Sequence, residues 1–315
     1  MAALQSVLSI LLMMGIGVLV SWRLDFNENN SAGLSKLVMG VTLPLYMISN
    51  ISVNYSRESL IAMAPGLLVP FAAMGGCYVL GFFTARLLRL PRNRRGTFNS
   101  MFALSNTIFI GVPVNLVLFG EKSIPYVLLF YIGNTTLFWT LGVFGISRDG
   151  INSNQPAFTF DNLKRVFSLP LLSFLFAVAC VLAQVRLPSV ILDVCKTVGN
   201  ATTPLSMIFI GIVLYSVDWK SIRIDRSLVA LVFARFILAP LIVVLICRFL
   251  PLPILMKQVF LIQASLPIMT QTAIIAKTYG ADYRYAAVMT SVTTLLCFVT
   301  IPIYIFLIHH FNIFG

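Results

Sequence analysis

Charged side chains are scarce in this chain, and acidic ones are the scarcest. Only 10% of the 315 residues are charged, with 10 Asp and Glu against 22 Lys and Arg, whereas soluble domains carry about 25% charged residues. The hydrophobic fraction is 59% and the mean hydropathy is +0.95. These values exclude a soluble fold and indicate a polytopic helical membrane protein.

The residue patterns of enzyme and metal sites are missing as well. The five cysteines stand in apolar stretches without CxxC spacing, and His309 and His310 form no HExxH motif. No GxSxG motif and no Walker motif occurs. The sequence therefore predicts neither an enzyme nor a metal site, and no cofactor is expected.

Apolar stretches separated by polar, glycine or proline residues predict ten membrane-spanning helices. A bilayer core about 30 Å thick needs roughly 20 apolar residues per helix. No basic residue precedes Arg23, so the first stretch is interpreted as a retained span rather than a cleaved signal peptide. The ten spans are predicted at residues 3–22, 33–52, 60–86, 97–119, 124–146, 166–186, 190–215, 227–250, 255–279 and 285–308.

The basic residues are shared unevenly between the two sides of the membrane. Placing both termini outside puts 14 basic residues in cytoplasmic connections and five in outer ones. The positive-inside rule then predicts a multi-pass protein of the cell (inner) membrane, with both termini outside and a cytoplasmic linker at 147–165. The net charge of +12 follows from this orientation, so no nucleic-acid partner is expected.

The sequence repeats once at a shift of 160 residues. Lys36–Ile48 and Lys196–Ile208 agree at seven of 13 positions. Each repeat, 1–146 and 166–315, contains five predicted spans, and an odd number forces the second copy to enter the membrane from the opposite side. The predicted fold is therefore all-α, with ten transmembrane helices in two inverted five-helix repeats. Inverted repeats are typical of secondary transporters, although some channels share the symmetry.

The fourth span of each repeat has a proline beside clustered polar residues at its middle. Asn106 and Thr107 precede Pro113 in the first repeat, and Ser265 precedes Pro267 in the second. Proline removes a backbone donor, and a break persists in a membrane only where protein or a wet cavity satisfies it. Spans 4 and 9 are therefore predicted as broken crossover helices whose free N–H groups favour an anion. A simple proline kink is the alternative for either helix alone.

The candidate substrate-binding residues are the polar and proline positions at these breaks, together with a polar residue of the repeated block in the seventh span. They are Asn106, Thr107, Pro113, Asn115, Asn200, Ser265, Pro267, Thr270, Gln271 and Thr272.

Three basic residues within spans are candidates for a charge role. Arg235 lies about nine residues, or roughly 13 Å, from the cytoplasmic start of its span, where an arginine costs at least about 2.5 kcal/mol. It either attracts an anionic substrate or bonds carbonyl groups at a helix end. Lys36 and Lys196 lie near the ends of their spans, where the alternative is that they reach the membrane surface.

No carboxylate lies at the middle of a predicted span. Sodium coordination and proton relays usually use one, so the sequence disfavours a cation antiporter. Ion coupling through backbone carbonyls stays open.

The chain resembles the auxin efflux carrier family, which includes bacterial permeases for malate and related acids and the plant PIN-type auxin exporters. The resemblance covers essentially the whole chain. Its most specific block is Asn106-Thr107-Ile108-Phe109-Ile110-Gly111-Val112-Pro113, and further blocks are Leu43-Pro44-Leu45, Gly199-Asn200-Ala201-Thr202-Thr203-Pro204-Leu205, Gln263-Ala264-Ser265-Leu266-Pro267 and Ala276-Lys277-Thr278-Tyr279-Gly280.

This resemblance implies a fold like that of bile-acid symporters and sodium/proton antiporters. Spans 1, 2, 6 and 7 would form a scaffold, and spans 3–5 and 8–10 would form the transport part. Whether two copies form a homodimer through the scaffold stays open. Asn106, Pro113 and Pro267 match the family's site positions. Plant members have a second proline where this chain has Thr272, so the second break is expected to be softer here. The short linker is like that of compact bacterial members.

The resulting hypothesis is an elevator-type or rocking carrier in the lipid bilayer. It would move small organic anions, including carboxylates and auxin-like aromatic acids, by alternating access at the crossover of spans 4 and 9. The alternatives are a sodium- or proton-coupled symporter of the same fold and a ligand sensor that does not transport.

Overall fold

The computed structural model is built from helices in the part of the chain that it describes, residues 2–24, 28–150, 167–216, 225–311 and 313–314. Three π-helical turns, Val38–Thr42, Phe138–Gly142 and Ala234–Leu238, continue one helix into the next. The α-helices are α1 (Ala2–Leu24), α2 (Glu28–Leu37), α3 (Leu43–Asn54), α4 (Arg57–Met63), α5 (Leu68–Leu87), α6 (Arg92–Ala103), α7 (Gly111–Phe119), α8 (Ile124–Leu137), α9 (Val143–Asp149), α10 (Leu169–Leu182), α11 (Ser189–Gly199), α12 (Thr202–Tyr215), α13 (Arg226–Phe233), α14 (Ala239–Arg248), α15 (Ile254–Ala264), α16 (Gln271–Tyr279) and α17 (Tyr283–Phe311).

Six helical stretches of the described residues are long and apolar enough to cross a membrane. Three shorter apolar helices, Leu8–Leu24, Leu169–Leu182 and Ile254–Ala264, accompany them. The protein is therefore a polytopic helical membrane protein, while the number of ten spans and their inverted repeat stay predictions. The six stretches are Gly33–Asn54, Arg57–Leu87, Glu121–Asp149, Ser189–Tyr215, Arg226–Arg248 and Tyr283–Ile308.

The fourth and ninth predicted spans are each divided into two helices. α6 ends at Ala103, because Leu104 takes an extended conformation with φ −109° and ψ 140°, and α7 begins only at Gly111. α15 ends at Ala264 and α16 begins at Gln271. The first interruption contains Asn106 and Thr107, and the second contains Ser265, Pro267 and Thr270, whereas Gln271 and Thr272 begin α16.

The linker predicted at 147–165 starts inside a helix. α9 continues to Asp149, whose side chain is buried. Residues 151–165 of the predicted linker lie outside the described part of the chain.

One compact unit, called unit 1 below, comprises the described residues of Met1–Gly66, Ile108–Leu128 and Phe167–Val217. In this unit α1 packs on α12 with little space between the two backbones. Gly17 of α1 faces the backbone of α12 so closely that a Cβ atom there would overlap the carbonyl oxygen of Ile208. Small residues that admit such an approach are typical of helix packing in membranes.

The other compact unit, called unit 2 below, comprises the described residues of Leu67–Thr107, Leu129–Val166 and Asp218–Gly315. Here α6 packs on α9, and Asp149 of α9 binds the middle of α6. Its carboxylate accepts hydrogen bonds from the backbone N–H groups of Gly96 and Thr97, at 2.8 and 2.6 Å. The same carboxylate accepts from the hydroxyl of Thr97 at 2.9 Å, so three bonds hold α9 against the middle of α6, while the end of α6 enters the first break.

Candidate functional site

The two breaks meet within unit 2 as extended backbone. Ser105 pairs with Ile268 in an isolated antiparallel β-bridge. The backbone N–H of Asn106 donates to the carbonyl oxygen of Pro267 at 2.9 Å. Since buried backbone groups must be paired, each break supplies hydrogen-bonding partners for the backbone of the other.

Two side chains from neighbouring helices complete the pairing of this bridge. The amide of Asn134, on α8, accepts from the N–H of Ser105 and donates to its carbonyl oxygen, both at 3.0 Å. The hydroxyl of Thr293, on α17, accepts from the N–H of Ile268 at 3.3 Å. Neither residue was predicted from the sequence. The available signal was a polar side chain in the fifth span of each repeat, since the shift of 160 residues places Asn134 opposite Thr294, next to Thr293.

A buried polar cluster surrounds the bridge. The amide nitrogen of Gln263 donates to the carbonyl oxygen of Thr107 at 3.4 Å, and Asn106 and Thr107 are 3% and 2% exposed. This crossover cluster consists of Ser105, Asn106, Thr107, Asn134, Gln263 and Pro267. The structure thus brings together Asn106, Thr107 and Pro267 among the predicted site residues.

Several buried oxygen atoms of unit 2 have no hydrogen-bond partner among the described residues. They are Oγ of Ser105, Oε1 of Gln263 and Oγ1 of both Thr272 and Thr290. Nearly all buried polar groups in proteins are paired, so the unpaired oxygens of Ser105 and Gln263 in the crossover cluster are available to water or a ligand. Ser265 differs from them, because its hydroxyl donates to the carbonyl of Ile262 at 2.9 Å.

The beginning of α16 lies just after the second break. Its first residue, Gln271, and the preceding Thr270 are half-buried, and no side chain caps this helix start. The first N–H groups of a helix have no partner within the helix. The N–H of Thr272 donates to the carbonyl oxygen of Met269 at 3.1 Å, but the hydroxyl of Thr272 is fully buried and has no partner among the described residues. This end of α16 therefore has the polarity that suits an anion.

Pro113 and Asn115 belong to α7 in unit 1 and not to the crossover cluster. Pro113 lies in the first turn of α7, where a missing N–H costs no hydrogen bond, so it helps to start the second helix. The side chain of Asn115 donates to the carbonyl oxygen of Gly111 at 2.7 Å within the same helix.

The remaining predicted residues of unit 1 are exposed. Asn200 follows the end of α11, and Lys36 and Lys196 lie in the last turns of α2 and α11. All three side chains are exposed. For the two lysines this exposure agrees with the alternative that they reach the membrane surface.

Arg235 is the largest fully buried side chain among the described residues, at 1% exposure. Its Nη1 donates to the carbonyl oxygen of Ala103 at 3.1 Å, and its Nη2 donates to that of Ala264 at 2.9 Å. Nε and Nη2 both donate to the carbonyl oxygen of Leu266, at 3.1 and 2.9 Å. Of the two roles that the sequence left open, the geometry present is the bonding of carbonyl groups at helix ends.

A small cavity lies beside this guanidinium group in unit 2. Cys77, Ser105 and Phe130 are among the side chains that line it with Arg235. Within the described residues no group of three His, Cys, Asp or Glu side chains could hold a metal ion. The chemistry available at the crossover is therefore that of neutral hydroxyl and amide groups, backbone N–H groups and one buried guanidinium.

Comparison with known proteins identifies the family. Residues 2–305 match the family described as membrane transport protein. An uncharacterized transporter of Methanocaldococcus jannaschii is 23% identical over 312 residues, covering 96% of this chain and 98% of that protein. An uncharacterized transporter of Methanothermobacter thermautotrophicus is 24% identical over 313 residues, with the same coverage of both chains.

The match extends over nearly the whole chain, including both breaks and the helices that support them. Its description agrees with the apolar helices of the structure, and the relatives are transporters rather than enzymes. This chain is therefore a multi-pass membrane transporter and belongs to the membrane transport protein family, that of the auxin efflux carriers.

Proposed function

We propose that this transporter carries small organic anions, with the carboxylate group bound at the crossover of the fourth and ninth spans. The observation that carries the proposal is the uncapped beginning of α16, with the buried, unpaired hydroxyl of Thr272 in its first turn. A helix start presents unpaired N–H groups and about half a positive charge, so it favours an anion. Asn106, Thr107, Thr270 and Gln271 would supply further neutral contacts.

Alternating access between two inverted five-helix repeats is the proposed mechanism. It is supported by the internal repeat and by the division of the described chain into two compact units. Unit 1 contains most of predicted spans 1, 2, 6 and 7, and unit 2 contains spans 8–10 with most of spans 3 and 5. Span 4 is shared, since α6 belongs to unit 2 and α7 to unit 1. The proposal also places both termini on the outer side of the cell membrane.

The test replaces Asn106 by alanine in protein reconstituted into liposomes. Asn106→Ala keeps the backbone bond to Pro267 but removes the amide beside the bridge, so carboxylate transport should fall at least about tenfold. Asn93→Ala is the matched control, because Asn93 is exposed on α6, the helix that leads into the first break, and this variant should transport like the wild type. Thermal unfolding of both variants shows whether the fold is kept.

Equal transport by wild type and a folded Asn106→Ala variant would contradict the crossover assignment. A rate that follows an imposed sodium or proton gradient would favour the coupled symporter instead. Stabilisation by a carboxylate without any transport would favour the sensor.

A further inference from the structure

Arg235 has a buried positive charge without an acidic partner among the described residues. The ion pair of the described residues joins Arg94 to Asp282 and does not involve Arg235. The guanidinium group of Arg235 donates instead to the carbonyl oxygens of Ala103, Ala264 and Leu266. A buried charge is normally paired. Its compensation must therefore come from these backbone carbonyls.

Two of the three carbonyls belong to helix ends. Ala103 is the last residue of α6, and Ala264 is the last residue of α15. The C-terminal end of a helix carries about half a negative charge. Two such ends together amount to about one negative charge, which is what a single guanidinium group balances.

We propose that Arg235 is a positioning residue that sets the anion preference of the crossover without binding the substrate. By neutralising the ends of α6 and α15, it leaves the uncapped beginning of α16 as the helix end at the second break whose charge is not balanced. This inference rests on the proposed function, because it explains why the transporter would take an anion rather than a cation.

Direct binding of substrate by this side chain does not fit its surroundings. The guanidinium group is 1% exposed, and each of its three nitrogen atoms donates to a carbonyl oxygen. Arginine suits this place because its planar group offers five donors in fixed directions. A lysine would keep the charge but would lose the simultaneous bonds to carbonyls of both repeats.

The experiment compares Arg235→Gln and Arg235→Lys with the wild type in liposomes. Arg226→Gln is the matched control, because Arg226 is exposed at the beginning of α13, which continues into the π-helical turn that contains Arg235. The probes are malate, malonate and phenylacetate, each tested against its neutral amide as a competitor. The half-saturating concentration of the acid, the inhibition constant of the amide and the maximal rate are measured, and thermal unfolding shows whether each variant folds.

The proposal expects different effects from the two substitutions. Arg235→Gln removes the charge, so the half-saturating concentration of the acid should rise about tenfold or more, while inhibition by the amide should change by less than about threefold. Arg235→Lys keeps the charge, so binding of the acid should stay within about threefold of the wild type. Its maximal rate should fall about tenfold, because the two helix ends lose their common bonds.

Three results would overturn the proposal. They are wild-type constants in both variants, an equal loss of acid and amide binding in Arg235→Gln, and a loss of acid binding in Arg235→Lys as large as in Arg235→Gln. If Arg235→Gln does not fold, the comparison of binding and maximal rate in Arg235→Lys decides the outcome. Absence of any carboxylate transport by the wild type would refute the proposed function instead.

Discussion

At the scale of single residues, the crossover depends on side chains that pair with backbone. Asn134 binds both the N–H and the carbonyl oxygen of Ser105, and Arg235 binds carbonyls at the ends of two helices. In the apolar interior of a membrane these backbone groups have no water to bind. Such side chains therefore determine whether the breaks keep their shape.

The substitution Asn134→Ala tests this role. It would leave the N–H and carbonyl groups of Ser105 without their partner, and each unpaired buried group costs about 1–3 kcal/mol. We expect a lower free energy of unfolding and transport reduced by at least about tenfold. Thermal unfolding in detergent and uptake into liposomes are the measurements.

Thr136→Val serves as the control for Asn134→Ala. Thr136 is half-buried two residues further along α8, so this variant should unfold and transport like the wild type. If Asn134→Ala behaved in the same way, the bond to Ser105 would have no part in holding the first break.

The sequence could predict which residues stand at the breaks but not how they are bonded. Pro267 and the polar residues around it are visible as an interruption of an apolar run, because a missing N–H and polar groups cannot continue a buried helix. Asn134 lies 29 residues from Ser105 in the chain, and Ala103 lies 132 residues from Arg235. Such pairings arise only when the helices pack.

At the scale of helices, the apolar runs predicted positions well because a span needs a long apolar surface. α17 begins at Tyr283, two residues before the predicted start of the tenth span, and α16 ends at Tyr279, where the ninth was predicted to end. The π-helical turn at Ala234–Leu238 was not predicted. Local composition does not distinguish such a turn from the α-helix around it.

Close packing of helices gives a prediction for α1. Gly17→Ala would push a methyl group into the carbonyl oxygen of Ile208 on α12, so the helices must separate, at a cost of about 1–3 kcal/mol. Gly15→Ala is the control on the same helix, since a Cβ there meets nothing within 4 Å, and its effect should be within about 0.5 kcal/mol.

Apparent melting temperatures in detergent compare the two glycine variants. The account expects only Gly17→Ala to melt at a lower temperature. Equal melting temperatures for Gly17→Ala and Gly15→Ala would show that α1 and α12 do not approach as closely as described.

At the scale of the whole molecule, the chain is a transporter whose described residues form two compact units. The repeat at a shift of 160 residues divides the sequence into two halves, whereas the family resemblance implied that spans 1, 2, 6 and 7 group apart from spans 3–5 and 8–10. Each unit takes helices from both halves. The chain passes from unit 2 to unit 1 between Thr107 and Ile108, which is inside the break of span 4. This mixing depends on packing between distant helices, which sequence order does not reveal.

The most direct test of the central claim is the current produced by wild-type protein reconstituted on a supported membrane. Malate, malonate and phenylacetate, and then their neutral amides, are applied at fixed pH without sodium. The account predicts a saturable current with at least one acid, of the sign of anion movement, and none with its amide. Labelled uptake of the same acids measures any electroneutral movement. No current and no uptake for any acid, or equal responses to acid and amide, would contradict an organic-anion carrier.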